Sequence, residues 1–275
     1  MFKIISISLL LLSTFCYSQI PVENYRKEIS NLKSLEEVGV YWDQLENVDQ
    51  NVLLKENNTI KYDSVSTSLM IRTVLMFELQ NEKTFQLYKF VPLLNMAHSR
   101  NATSAKLFWP IIEKYKTVIS KISEFYPSYP LESIGLNYYG YSLFKQDAIY
   151  DRLISKLKNN VSNEKLIEQL LSSHKEFEKI NSLKQVKKLF KWQHQPFKDV
   201  KEDGFFEFVK MSDGKLYLKK SYGVLQKLIL TKKKNKFKYY HIEGEPFGWV
   251  YKLGKDGSLC LMENDTILIE YTKLD

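Results

Sequence analysis

The chain has few of the residues that mark specialised protein classes. Its 10 glycines and seven prolines are too few for a collagen-like or low-complexity protein, while its 44% apolar and 14% aromatic residues are too many for a disordered one. Its two cysteines are too few for a disulfide scaffold. We therefore expect a folded protein of 275 residues, which suffices for one large or two modest domains.

Arginine is scarce as well. The formal net charge is +8, but only four of the 40 basic residues are arginine, and the lysines are spread along the chain. Because arginine supplies most bidentate contacts to phosphates and bases, we expect no nucleic acid partner. The densest lysine run, residues 232–238, is expected to be a solvated hairpin tip around Asn235, with an anion-binding surface patch as the alternative.

Catalytic and cofactor motifs are missing from the sequence. It contains no Gly-x-Ser-x-Gly, no Walker A or Gly-x-Gly-x-x-Gly loop and no His-Glu-x-x-His. Its histidines lie far apart, at His98, His174, His194 and His241. We therefore expect no cofactor and no metal, and no activity can be inferred from motifs alone.

The N-terminus has the pattern of a secretory signal peptide. One lysine, Lys3, precedes an uncharged stretch from Ile4 to Phe15, and cleavage is expected after Ser18. The run is too short to favour a membrane anchor, so no transmembrane segment is expected in the mature chain. We predict a secreted or periplasmic protein. The alternative is a lipoprotein acylated at Cys16, although Phe15 stands where a small residue is expected.

The remainder divides into two parts with different hydrophobic periods. Residues 19–200 have a helical period and predict about six packed helices. Ser34 and Glu37 form a capping box at the start of one helix. Other helices are expected to begin near Asp63, Thr84, Pro110, Ala148 and Asn163, the last extending to Trp192.

Residues 201–275 alternate with the period of strands. About seven short strands are expected, beginning with a hairpin whose turn is Asp213-Gly214. They predict an antiparallel meander forming a barrel or sandwich, so the fold class is α+β in two parts. The polar segment Lys198 to Asp203 is the expected domain boundary, and Cys260, in an apolar strand, is expected to be a buried, inert thiol.

Five residues of the helical part are candidates for a site. The order Trp-x-x-Leu-x-x-x-Asp-Gln, then Asp63, a histidine and Asp-Arg resembles a group of uncharacterised bacterial helical proteins. The resemblance covers only the helical part, lacks a glycine- and tyrosine-containing motif after Asp-Arg, and implies no activity. It ranks Asp49, Gln50, His98, Asp151 and Arg152 as candidate catalytic residues. The alternative is that they are helix caps and surface ion pairs.

Aromatic residues are dense in the strand part. Most are expected to fill a barrel, but the segment Gly244 to Trp249 also suggests a mouth that binds a small ligand. Its candidate ligand-binding residues are Phe247, Trp249 and Tyr251. With no catalytic motif, we expect a binding or interaction protein with a protein or small-molecule partner. The alternative is an extracytoplasmic hydrolase with a site around His98 and acids of the helical part.

Export is directly testable. If residues 1–18 are a signal peptide, the protein expressed in a bacterial host is expected outside the cytoplasm with Gln19 as its first residue. N-terminal sequencing of the protein from each cell fraction measures this. A mature protein that still begins with Met1 would contradict the prediction.

Overall fold

The protein consists of a helical part followed by an antiparallel sheet. The computed structural model describes residues 20–80, 90–116, 128–140, 147–158, 161–193 and 204–274. Within them, eight α-helices precede nine strands, which confirms the two-part α+β prediction. The expected signal peptide, His194 and the expected boundary at Lys198 to Asp203 lie outside these residues. No helix in the described ranges is long and apolar enough to cross a membrane.

Eight α-helices make up the helical part within the described ranges. They are α1 (Val22–Ser30), α2 (Leu35–Asn47), α3 (Thr59–Leu79), α4 (Val91–His98), α5 (Ala102–Lys114), α6 (Ser128–Tyr139), α7 (Asp147–Leu157) and α8 (Asn163–Asn181). A π-helical turn at Val48–Val52 and a 3₁₀ turn at Leu53–Lys55 join α2 to α3. Helix α3 packs against α1, α4, α5 and α8, so it forms the centre of the helical part.

Two predicted helix starts are wrong, and asparagine caps explain both. The side chain of Asn58 accepts hydrogen bonds from the first turn of α3, so the helix begins before Asp63, which is buried within it. Asn101 likewise caps α5, and Pro110 lies inside that helix rather than in its first turn. The capping box of Ser34 and Glu37 is confirmed at the start of α2.

The predicted long helix from Asn163 to Trp192 is also wrong. Helix α8 ends at Asn181, whose side chain accepts a hydrogen bond from the backbone N–H of Leu225 at 2.9 Å. The chain then forms strand β1, Gln185–Gln193, which pairs with the next strand and buries Trp192 in the sheet. Phe190 and Trp192 are two residues apart, which fits a strand as well as the helix that the sequence predicts. The pairing of β1 with β2 decides in favour of the strand.

The remaining strands form an antiparallel meander. They are β2 (Phe205–Met211), β3 (Leu216–Lys220), β4 (Leu225–Lys234), β5 (Phe237–Ile242), β6 (Val250–Gly254), β7 (Leu259–Glu263), β8 (Thr266–Tyr271) and β9 (Lys273–Leu274). Their order in the sheet is β8-β7-β6-β5-β4-β3-β2-β1-β9. The Asp213-Gly214 turn and the exposed lysine-rich tip around Asn235 lie at hairpins, as predicted. Cys260 is buried in β7, also as predicted.

The sheet curls into a nearly closed barrel. Strand β8 pairs with β7, and the chain continues directly into β9, which pairs with β1. Aromatic rings fill the interior: Phe206 lies 5.0 Å from Tyr271 and Phe208 lies 4.8 Å from Trp192, between ring centroids. Such edge-on aromatic contacts add to the burial of apolar area that stabilises the barrel.

One end of the barrel receives the C-terminus of helix α6. The hydroxyls of Tyr251 and Tyr271 both donate to the carbonyl oxygen of Tyr139, at 3.1 and 2.8 Å. These donors satisfy a carbonyl that has no partner within its own helix. The larger of the hydrophobic clusters in the described ranges therefore extends from the helices into the barrel.

Two further barrel side chains reach the last turn of α6. Gln226 Nε2 donates to the carbonyl of Asn137 at 2.8 Å, and Lys220 Nζ donates to that of Leu136 at 3.4 Å. Lys220 is only 1% exposed, and burial lowers the pKa of its amine to about 7. The folded state therefore disfavours the charged form of Lys220.

Replacing Lys220 is expected to stabilise the protein at low pH. Below pH 7 Lys220 is charged in the folded wild type, whose stability is then reduced by the full cost of burying that charge. This cost diminishes as pH rises from 7 towards 10.5, the ordinary pKa of a lysine. We expect Lys220→Met to raise the free energy of unfolding by about 1–4 kcal/mol at pH 6, with a smaller gain at pH 9. Urea unfolding at both pH values measures this, with Lys219→Met as control. A loss of stability at pH 6 would contradict the prediction.

Candidate functional site

The candidate site lies where α4 ends and α5 begins. His98 is the last residue of α4, and Asn101 caps α5 two residues after Ser99. Two side chains hold this connection: the hydroxyl of Tyr62 donates to the carbonyl of His98 at 2.6 Å, and Asn137 Nδ2 donates to that of Ser99 at 2.6 Å. The backbone around His98 is therefore fixed by α3 and α6.

Asp49 and His98 form a hydrogen-bonded pair. Asp49 lies in the π-helical turn that follows α2, a widened turn of a kind often found at functional sites. Its Oδ2 lies 2.6 Å from His98 Nδ1 and also accepts a hydrogen bond from Gln50 Nε2 at 2.8 Å. Three of the five ranked residues thus come together, although His98 is 49 residues away from Asp49 in sequence.

The pairing determines which nitrogen of His98 is available. In a neutral imidazole whose Nδ1–H donates to Asp49, Nε2 is the unprotonated acceptor. Among the described residues, Nε2 of His98 has no hydrogen-bond or ion-pair partner. The Asp49 side chain is fully buried, whereas 21% of the His98 side chain is exposed. Within the described ranges the pair therefore leaves Nε2 without a partner, on a side chain that is partly exposed.

A second pair, Asp63 and His174, has a different character. His174 Nδ1 lies 2.6 Å from Asp63 Oδ2, but its Nε2 lies 3.5 Å from Glu178 Oε1, so both nitrogens are engaged. The His174 side chain is only 9% exposed. We interpret this pair as structural, and it serves as an internal comparison for Asp49 and His98.

Burial and pairing shift the pKa values of the second pair. Burial alone would lower the pKa of His174, but the hydrogen bond and charge of Asp63, together with the charge of Glu178, outweigh it and raise that pKa. Burial raises the pKa of Asp63 by more than its hydrogen bond with His174 lowers it. Folding therefore favours keeping a proton on this pair.

The other two ranked residues lie elsewhere. Asp151 is exposed on α7, and Arg152 forms an ion pair with Glu263 of β7 at 2.8 Å. In the part of the chain that the structure describes, neither forms a hydrogen bond or ion pair with Asp49 or His98. Arg152 thus forms a surface ion pair that links α7 to the barrel.

The candidate ligand-binding residues are packed between the two parts. Phe247, Trp249 and Tyr251 are at most 2% exposed. The rings of Phe247 and Trp249 lie 5.9 and 4.9 Å from that of Tyr139. Helix α6 thus covers these side chains, at the end of the barrel where the sequence suggested an open ligand-binding site.

The turn that carries these aromatic residues is organised by Glu245. Its carboxylate accepts hydrogen bonds from the backbone N–H groups of Phe247 at 2.8 Å and Gly248 at 2.7 Å, and from the hydroxyl of Tyr139. Burial raises the pKa of Glu245, while the backbone donors oppose the rise. Glu245 therefore fastens the turn to α6.

Sequence reasoning did not select Tyr62, Arg100 or Tyr222 for the site. The guanidinium carbon of Arg100 lies 3.7 Å from the ring centroid of Tyr62 and 5.4 Å from that of Tyr222, which the barrel contributes. Burial raises the pKa of Tyr62 to about 12, with Arg100 lowering it and Asp49 raising it. The one available signal was the position of Arg100 two residues after His98.

No group of three or more histidine, cysteine or acidic side chains in the described ranges is arranged to hold a metal ion. Comparisons of the chain with protein-family models, curated proteins and solved structures find no match. Inferences about function therefore rest on the geometry around His98.

The structural interpretation of His174 gives a pH-dependent prediction. Because the folded state raises the pKa of His174, its pairing contributes fully to stability below about pH 6.5 and the contribution is lost as pH rises through the folded-state pKa. We expect His174→Gln to cost about 3–5 kcal/mol at pH 6 and less at pH 9. Urea unfolding measures both values.

His98→Gln is the matched control for this experiment, since the His98 side chain is more exposed than that of His174, at 21% against 9%. We expect it to cost less stability at pH 6. A cost for His174→Gln that is the same at both pH values would contradict the assigned role of the pair.

Proposed function

We propose that the protein is a hydrolase in which His98, oriented by Asp49, acts as general base. The observation that supports this most is the 2.6 Å contact between His98 Nδ1 and Asp49 Oδ2, in a pair whose histidine is partly exposed. A carboxylate on Nδ1 fixes the tautomer and the ring orientation, which is how histidine is prepared to accept a proton at Nε2.

In the proposed reaction, His98 Nε2 accepts a proton from water while the water oxygen forms a bond to the carbonyl carbon of an ester. The bond from that carbon to the leaving oxygen then breaks, and the imidazolium returns the proton to the leaving alkoxide. Asp49 stabilises the imidazolium through the hydrogen bond already present, and Gln50 holds the carboxylate oxygen from the other side.

The geometry favours hydrolysis over the binding function that the lack of motifs suggested. The aromatic residues proposed for a ligand mouth are buried against Tyr139. Asp49 and His98, in contrast, form a hydrogen bond that leaves His98 Nε2 without a partner among the residues that the structure describes. The contrast with His174 also favours hydrolysis at His98, because Nε2 of His174 lies 3.5 Å from Glu178 Oε1 and has a partner of its own. A purely structural histidine has no need for a free, partly exposed nitrogen.

We also propose that this hydrolase acts outside the cytoplasm. The support is the N-terminal sequence alone, in which Lys3 precedes an uncharged run ending near Phe15. The mature chain would retain Cys260 and lose Cys16, and a single cysteine cannot form a disulfide within the chain. The mature protein would therefore fold in an oxidising compartment without an internal disulfide. The lipid anchor at Cys16 is the alternative form of the same proposal.

Replacing His98 tests the proposed function. We expect His98→Gln to lower kcat for hydrolysis of p-nitrophenyl acetate by about 10²- to 10⁴-fold, because a general base is lost. Asp49→Asn is expected to lower kcat as well, because the amide cannot stabilise the imidazolium. Release of p-nitrophenolate measures the rates, and thermal unfolding establishes that each variant is folded.

His241→Gln is the control, since His241 lies on β5 away from this pair and its Nδ1 is 3.6 Å from Glu245 Oε1. It is expected to keep the wild-type rate. Hydrolysis by His98→Gln at the wild-type rate, or a wild-type rate no faster than that of buffer, would contradict the proposal.

A further inference from the structure

Arg100 is the one arginine for which the described part of the structure shows no counter-ion. The other three each pair with a glutamate: Arg26 with Glu78 at 2.9 Å, Arg72 with Glu28 at 3.4 Å and Arg152 with Glu263 at 2.8 Å. Within the described ranges, no carboxylate forms an ion pair with Arg100. Arg100 lies beside the candidate active site, and a guanidinium that is not paired with a carboxylate of the protein can bind an anionic ligand.

The surroundings of Arg100 fix its guanidinium near His98. Its carbon lies 3.7 Å from the centroid of the Tyr62 ring, and the hydroxyl of the same tyrosine donates to the His98 carbonyl at 2.6 Å. Stacking on an aromatic ring uses the flat face of a guanidinium and leaves the N–H groups at its edge for an anion. Tyr62 therefore holds Arg100 and the His98 backbone in one arrangement.

The barrel supplies the second ring. Tyr222 lies in the turn between β3 and β4, with its ring centroid 5.4 Å from the Arg100 guanidinium carbon. Thr59 of α3 donates its hydroxyl to the Tyr222 carbonyl at 3.1 Å. Gly223 has φ of +88°, and a Cβ there would lie 2.9 Å from the Thr59 hydroxyl oxygen. The close approach of this turn to α3 thus depends on glycine.

We propose that Arg100 binds an anionic group of the substrate, a carboxylate or a phosphate, next to the ester bond that His98 hydrolyses. This rests on the proposed function and adds the substrate class to it. The planar guanidinium matches two oxygens of either anion, so binding through it fixes orientation as well as position. Tyr62 and Tyr222 are positioning residues, and Tyr222 makes the barrel part of substrate recognition.

The test compares an anionic ester with a neutral one. For Arg100→Gln we expect kcat/KM for p-nitrophenyl hemisuccinate to fall about 10- to 100-fold, mainly through KM, because a charge-assisted hydrogen bond is lost. The value for p-nitrophenyl acetate is expected to fall several-fold less than that for the anionic ester, since the acetate ester has no group for Arg100 to bind. Arg100→Lys keeps the charge and is expected to lose less on the anionic ester.

Competing anions distinguish the two forms of the substrate group. Succinate and inorganic phosphate are added as inhibitors of acetate-ester hydrolysis by the wild type and by Arg100→Gln. Stronger inhibition by succinate indicates a carboxylate substrate, and stronger inhibition by phosphate indicates a phosphorylated one. Inhibition by neither anion, or inhibition that is unchanged in Arg100→Gln, would overturn the proposal.

Failure of this inference is separable from failure of the proposed function. If Arg100→Gln slows both esters equally while the His98 dependence holds, the hydrolase stands and the anion site is overturned. If the wild type hydrolyses neither ester, calorimetric titration with inorganic phosphate and succinate still tests whether Arg100 binds an anion. Binding of either anion that is lost in Arg100→Gln supports the anion site, and no binding overturns it.

Discussion

The last turn of helix α6 joins the two parts of the protein and supports the candidate site. Its carbonyl oxygens, which no helix can satisfy internally, accept hydrogen bonds from Gln226, Tyr251 and Tyr271 of the barrel. Within the same turn, Asn137 both accepts from Gln226 and donates to the Ser99 carbonyl, at 2.8 and 2.6 Å. A continuous set of hydrogen bonds thus connects the barrel to the backbone between His98 and Arg100.

Helix α3 is the second element on which the site depends. Its consecutive residues Tyr62 and Asp63 contact two different histidines: Tyr62 holds the His98 carbonyl, and Asp63 pairs with His174. Neighbouring residues on a helix point about 100° apart, so one buried helix supports both pairs. The His174 pair is enclosed and stabilises the packing of α8 on α3, while the His98 pair lies where α4 ends and solvent reaches it.

Local signals predicted the parts of the fold that depend on neighbours in sequence. The capping box at Ser34, the Asp213-Gly214 hairpin and the alternation of the strands are of this kind. The sequence does not indicate strand β1, because its pairing with β2 decides its conformation. Asp63 has the sequence pattern of a helix cap, while its actual partner, His174, is 111 residues away. The ranking includes Asp49, Gln50 and His98, which the fold brings together, and also Asp151 and Arg152, which lie elsewhere. The approach of Tyr222 to Arg100 could not be predicted, because it depends on the docking of the barrel.

The protonation of the two nitrogens of His98 most directly tests the proposed role of this residue. Long-range ¹H–¹⁵N spectra of the wild-type protein, with the His98 signals assigned by comparison with His98→Gln, distinguish the neutral tautomers. We expect a proton on Nδ1, shared with Asp49 across 2.6 Å, and an unprotonated Nε2. A neutral His98 protonated at Nε2 would contradict its proposed role as general base, because the nitrogen that does not face Asp49 would then have no lone pair to accept a proton.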